Sequence, residues 1–198
     1  MAERKPHVVL VRHGETEWSA DGRHTGRTDI PLTDEGRRQA TALGGCLKEW
    51  TFALVLASPL QRATETCRLA GLGGAMQIRG DLREWDYGEF EGRTTADIRT
   101  ARPGWTVWTD GVPGGETAHQ VGRRADRMIA EARAATGEVA LFSHGHILRV
   151  LAARWIDLAP DRGRSLALET ATISVLGYER ETSVITRWNV PCRGAGAT

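Results

Sequence analysis

His7-Val8-Val9-Leu10-Val11-Arg12-His13-Gly14-Glu15 sets a short apolar run against an abrupt polar end. An uninterrupted run of this length fits a strand buried on both faces, as in parallel sheets. The pattern recurs twice. Phe52-Ala53-Leu54-Val55-Leu56-Ala57 runs into Ser58-Pro59, with Arg62 one turn further on, and Glu138–Ser143 runs into His144-Gly145-His146. Ligands of open α/β sheets bind at the carboxyl ends of the strands. The order therefore predicts that Arg12, His13, Arg62 and His144 converge, although they are spread over some 130 residues.

Between the strands lie helix signals. Thr33-Asp34-Glu35 offers an N-cap and first-turn acids for a helix reaching about Trp50, and Ser58-Pro59 precedes one over Leu60–Ala70. Further helices are predicted near Thr95–Ala101 and over Glu116–Ala135 and Ile147–Ile156, and a short third strand over Gln77–Arg79. Thr170–Tyr178 and Ser183–Trp188 read as two strands joined by a tight polar turn, so at least one strand is antiparallel. The expectation is an α/β fold: a three-layer sandwich, its central sheet mostly parallel, helices on both faces and a small irregular cap over about 81–115. At 198 residues the chain reads as one domain, 1–198, with flexible tails at 1–6 and 191–198.

Composition excludes several classes. No apolar run approaches a membrane span, and Met1-Ala2-Glu3-Arg4-Lys5-Pro6 leads into no signal-like apolar stretch. A net charge of +1 argues against a nucleic-acid module or a polybasic membrane module. Cys46, Cys67 and Cys192 are odd in number and form no CxxC, which suits reduced thiols in a cytoplasmic protein. Only two of the 26 basic residues, Lys5 and Lys48, are lysines, so a lone arginine carries little information here.

Two guanidiniums, two imidazoles and two helix N-termini in one crevice make an anion site, since planar arginine forks match phosphate oxygens. The glycines after His13 and His144 allow a sharp backbone turn beside the ligand. A competing reading makes His144-x-His146, with His13 and an acid, a metal site; the chain supplies neither HExxH nor a carboxylate cluster, so no metal or other cofactor is expected.

Taken together, Leu10–Trp18, Thr25-Gly26 with 29–36, Ala57–Thr66, Leu82–Gly92, Gly114–Thr117 and Ser143–His146 resemble the histidine phosphatase superfamily, the phosphoglycerate-mutase-like group. The resemblance implies that His13 is phosphorylated, that Arg12, Arg62 and His144 hold the phosphoryl group, and that Glu84 is the proton donor. Elementary chemistry agrees. A neutral imidazole attacks phosphorus in line, neighbouring arginines keep it unprotonated and neutralise the transition state, and the departing alkoxide needs an acid. Asp86, Glu89 and Glu91 compete with Glu84 for that last role.

The family divides between phosphatases and mutases. The short interval from Glu91 to Ser143, Trp85 in place of the mutases' arginine after the acid, and Ser19 in place of a usual asparagine lean to hydrolysis. The Leu82–Gly92 segment, followed by 105–111, is similar to the branch holding sedoheptulose bisphosphatase and broad-specificity acid phosphatases, which implies a small phosphate ester such as a sugar phosphate as partner. The substrate would then meet Arg12, Ser19, Thr25, Gly26, Arg62, His144 and Gly145. His24, Arg102 and Trp105 are further candidates, with Arg102 or His24 for a second phosphate. Phosphoryl transfer of the mutase type is the alternative, and a non-catalytic phospho-ligand binder is the alternative from another class. Relatives commonly form dimers, for which Val184–Trp188 offers an edge strand.

Overall fold

The computed structural model describes residues 5–192. Six strands form one sheet in the order β3-β2-β4-β1-β5-β6. β1 (Val8–Arg12), β2 (Phe52–Ala57), β3 (Met76–Ile78) and β4 (Glu138–Ser143) run parallel. β5 (Thr172–Glu179) is antiparallel to both β1 and β6 (Thr182–Pro191), so it alone runs against the rest. The mostly parallel sheet expected from the sequence is present.

Strand alternation sends side chains to two separate cores. Val8, Leu10, Leu56, Val139 and Leu141 pack under α5 (Ala118–Arg133) and α6 (Gly145–Trp155). Val9, Val11, Val55, Ala57, Ala140 and Phe142 face α2 (Asp34–Leu47) and α3 (Gln61–Leu69). Both faces of the inner strands are thus covered, which is why these strands read as continuous apolar runs. The cap carries α4 (Thr95–Ala101), closed by a Thr94–Asp97 capping box, and Tyr87, Phe90, Trp105 and Val107 anchor it by burial against the α5–α6 core. A one-turn helix, α1 (Glu17–Ala20), was not expected from the sequence; Thr16 and Ser19 cap each other reciprocally at its start.

Register then places the site. Arg12 lies opposite Ser143 and Ala57 opposite Phe142, so β1, β2 and β4 end level with one another. Backbone bonds continue one residue further, from His13 N to Ser143 O and from Ser58 N to Phe142 O. At this rim a Cβ on Gly14 would run into the Gly36 carbonyl, so the turn after His13 can lie against the start of α2 only as glycine.

Two expectations need correction. Cys46 of α2 and Cys192 form a disulfide, their Cα atoms 6.1 Å apart, leaving only Cys67 as a free, buried thiol among the described residues. They are 146 residues apart in the chain, and only the fold brings them together. β6 also runs on through Pro191, which pairs with Thr172, and Pro6 is buried, so the ordered chain reaches further than the expected tails allowed. The rest of both tails, 1–4 and 193–198, lies outside the described residues. Among the described residues no helix is long and apolar enough to cross a membrane.

Candidate active site

His13 follows β1 directly and is buried. Its Nδ1 lies 2.7 Å from the Gly14 carbonyl oxygen, which can only accept, so Nδ1 carries the proton and Nε2 keeps its lone pair. Burial first, then the charges of Arg62 and Arg12, hold the imidazole's pKa well below its usual 6.5. The ring is therefore neutral at physiological and mildly acidic pH.

Arg62, in the first turn of α3, is fully buried and has no carboxylate partner among the described residues. It donates to the carbonyls of Thr25, Gly26 and Thr28 at 2.9–3.2 Å and, through Nε, to His144 Nδ1 at 3.1 Å. Four of its five N–H groups are so engaged, and one on Nη1 remains. His144 caps α6 and lies edge-on to His13, ring centroids 5.1 Å apart. Because Nδ1 accepts from Arg62, Nε2 carries the proton and donates to Ser58 Oγ at 2.7 Å. Both nitrogens of His144 are thus occupied, and the imidazole orients Arg62. Arg12 donates through Nη1 to the Leu168 carbonyl, while its buried Nε has no partner.

Glu84 reaches the rim from a loop fastened on two sides. Ser143 Oγ donates to the Leu82 carbonyl at 2.6 Å, and Arg124 of α5 donates to the carbonyls of Asp81 and Arg83 and pairs with Glu116. The Glu84 carboxyl accepts backbone N–H bonds from Trp85, His146 and Ile147 at 2.8–3.0 Å, the last two at the start of α6. Three donors leave it one orientation. Asp86 is instead paired with Arg27 at 2.7 Å, and Glu91 accepts from Gly26 N and Thr28 N. Two of the three competing acids, Asp86 and Glu91, thus hold the loop that Arg62 binds, and Glu89 does not line the cavity.

Of these groups Arg12, His13 and Glu84 line, with Gly145, a cavity of about 360 Å³, and Arg62 and His144 are not among its lining residues. Its outer wall comprises Tyr87, Trp105 and Trp108 with His24 and His146. Burial holds His24 down to about 4, and burial with nearby Arg149 holds His146 well below 6.5, so both imidazoles are neutral. Ser19 and Thr25 also line the cavity, but the Ser19 hydroxyl donates to Thr16 O. Gly26 meets Arg62 through its carbonyl. Arg102 does not reach the cavity; its guanidinium lies over the Phe90 ring, 5.1 Å from the centroid. Arg99 and Arg149, overlooked among so many arginines, line the wall instead. Arg149 sits one turn after Gly145, the one sequence signal that could have flagged it.

The arginines differ in how they are held. Arg37, Arg79, Arg124, Arg127 and Arg154 each pair with a carboxylate. Arg12, Arg62, Arg99 and Arg149 are held by backbone carbonyls, with Trp108 beneath Arg149, and none has a carboxylate partner among the described residues. Arg12, Arg99 and Arg149 line the cavity without an ion pair while Arg23 there pairs with Asp21, and this excess of cations over the one lining carboxylate, Glu84, suits a receptor for an anion. No group of three His, Cys, Asp or Glu side chains among the described residues is placed to hold a metal ion.

The fold and this receptor define an α/β protein built around an oxyanion site with an uncharged imidazole at its floor. The chain belongs to the histidine phosphatase superfamily, branch 1, whose family model matches residues 8–191. It is 44% identical over 183 residues to an acid phosphatase of Mycobacterium tuberculosis, with 90% of each chain covered. To the sedoheptulose 1,7-bisphosphatase of Saccharomyces cerevisiae it is 34% identical over 190 residues, covering 80% of this chain and 70% of that one. Among solved structures, a Mycobacterium tuberculosis open-reading-frame product superposes with a TM-score of 0.91 at 40% identity, covering 96% of this chain and all of the other. A mycobacterial glucosyl-3-phosphoglycerate phosphatase in complex with VO3 gives 0.83 at 27% identity, covering 93% and 99%. The chain is a histidine-type phosphatase, and a phosphohistidine mechanism is general to its family.

Proposed function

We propose that the chain hydrolyses phosphomonoesters of small polyhydroxylated molecules through a phosphohistidine on His13. The observation that carries this reading is the His13 tautomer: a proton on Nδ1, spent on the Gly14 carbonyl, and a free lone pair on Nε2 beside two guanidiniums that lack carboxylate partners. Nε2 attacks phosphorus, the P–O bond to the ester oxygen breaks, and the departing alkoxide takes the proton of Glu84. Arg12 and the remaining Arg62 N–H neutralise the equatorial oxygens, and His144 keeps Arg62 in place. The Glu84 carboxylate then takes a proton from water, whose oxygen displaces Nε2 from phosphorus. Phosphate leaves, with His13 neutral and Glu84 reprotonated.

The outer wall supports the substrate class. Aromatic faces at Trp105 and Trp108 suit the C–H faces of a sugar, and neutral His24 and His146 donate to and accept from hydroxyls. Arg99 and Arg149 favour a substrate with a second anionic group.

The test is phosphate release in excess EDTA from matched sugar mono- and bisphosphates, phosphoglycerates and an aryl phosphate, with His13→Ala alongside. Metal-independent release, abolished in the variant, is expected, as is an acid-labile, base-stable phosphoryl adduct in quenched wild-type enzyme. Release that persists in His13→Ala would overturn the mechanism. Binding without release from any ester would leave a phospho-ligand binder.

A further inference from the structure

Arg12 has one hydrogen bond to the protein among the described residues, from Nη1 to the Leu168 carbonyl. Its other contact of note is Gly145, where a Cβ would lie 3.4 Å from the Arg12 Cζ. The plane of this guanidinium therefore depends on where Leu168 O is held. Residues 166–169 have neither helix nor strand of their own to fix that carbonyl.

What fixes it comes from β6. Trp188 Nε1 donates to the Ala167 carbonyl, and Asn189 Oδ1 accepts from Glu169 N at 2.7 Å, so two successive residues bracket Leu168. Neighbouring strand residues normally point to opposite faces. Here the β5–β6 register shifts on either side of Val175, and Asn189 adopts a left-handed backbone at φ 55°, its own N–H turned to Ser174 Oγ at 3.0 Å. Such a break re-aims side chains, and asparagine tolerates it better than other residues with a Cβ. Just beyond, Pro191 pairs with Thr172, Cys192 is bridged to Cys46, and Ala171 N donates to His13 O at 3.0 Å. The strap between β6 and the site thus touches both Arg12 and the backbone of His13.

We propose that Trp188 and Asn189 are positioning residues for Arg12, acting through the Leu168 carbonyl and setting the orientation in which the guanidinium meets an anion. The proposal rests on the reading above that Arg12 contacts the phosphoryl group. Neither side chain touches substrate, since neither lines the cavity.

Three substitutions separate the bond from the fold. Asn189→Gly keeps the left-handed backbone and removes the acceptor, Asn189→Asp keeps both, and Trp188→Phe removes only the indole N–H. Misplacing a catalytic group by about 1 Å costs up to ~100-fold in rate. The Trp188→Phe/Asn189→Gly pair is therefore expected to lower kcat/KM for an aryl phosphate about 10- to 100-fold and to weaken inorganic phosphate binding measured by calorimetry. Asn189→Asp should stay within about twofold of wild type by the same reasoning. In an Arg12→Ala background the pair should change neither phosphate affinity nor residual rate, because the residue it acts through is gone.

Wild-type kinetics and phosphate affinity in the pair would overturn the proposal. So would losses of equal size with and without Arg12, which mark a general structural defect. If the wild type binds phosphate but releases none from any ester, the hydrolase reading falls, while the affinity comparison still decides the positioning role.

Discussion

Acidification should destabilise this protein before it silences its nucleophile, and His24 gives the size of the effect. The ring packs 4.7 Å from Tyr87 and 5.6 Å from Trp105, centroid to centroid, and burial holds its pKa down to about 4. In the unfolded chain it titrates at the ordinary imidazole value of 6.5. Between those values the unfolded state binds a proton that the folded state refuses, so the stability present above pH 6.5 is lost as pH falls through about 4. At pH 5 the loss from His24 alone is about 2 kcal/mol. For a chain of this size that lowers the melting temperature by roughly 4–8 °C. His13, His144 and His146 are shifted in the same direction and add to it. The assay is thermal unfolding from pH 7.5 to 5, wild type against His24→Asn, with and without saturating phosphate. The variant should lose about one histidine's share of the pH slope. Phosphate should recover more stability at pH 5 than at pH 7, since an anion between His13 and the arginines offsets protonation. A melting temperature that stays flat or rises as pH falls from 7 to 5 would refute the reasoning, as would a slope unchanged in His24→Asn.

Glu84→Gln keeps the shape of the side chain and removes its proton chemistry. It should lower kcat for alkyl phosphates about 10²- to 10⁴-fold and for an aryl phosphate with a good leaving group much less; equal losses on both would remove Glu84 from the acid role. The Cys46–Cys192 bridge closes a loop of 146 residues, for which chain entropy alone gives up to about 5 kcal/mol. Cys192→Ser, or wild type in dithiothreitol, should therefore melt up to about 10–20 °C lower, and identical midpoints would show that the bridge adds nothing.

Of the inner strands β2 and β4 were legible to the residue, whereas β1 runs one residue later than the expected His7–Val11, and the edge strands were read less well. Phe52–Ala57 and Glu138–Ser143 are covered on both faces, so their apolar runs start and stop where the ladder does. β6 is an edge strand whose side chains are half-exposed, and a proline that would end an inner strand is tolerated at Pro191, so the apolar pattern faded three residues early at Trp188. α1 stayed hidden because four residues held by a reciprocal cap show no periodicity. Of the site, the floor was legible because His13 and His144 follow strand ends directly and Arg62 comes in the first turn of the helix after β2. Of the wall, His24 and Trp105 were legible, but Arg99, Arg149 and Leu168 were not, since how α4, α6 and the strap pack assigns them to the cavity. Arg102 shows the same limit from the other side: three residues from Arg99, it turns away to Phe90.

Burial, and after it the charges of Arg62 and Arg12, keeps the nucleophile neutral. A carboxylate partner for Arg12 or Arg62 would compensate the charge, but it would also raise the basicity of His13 and repel the phosphoryl oxygens. Backbone carbonyls orient a guanidinium while adding no net charge, so only carboxylates at longer range, Glu84 first, oppose the field the arginines offer the ligand. Desolvation of these cations costs stability in the empty protein, an expense that a bound dianion offsets. Arginine suits this arrangement better than lysine, because its planar fork can spend some donors on carbonyls and still present others. Arg62 with four engaged N–H groups, and Arg12 with one bond and a free Nε, are two degrees of the same design. The more loosely held of the two depends most on the strap that β6 keeps in place.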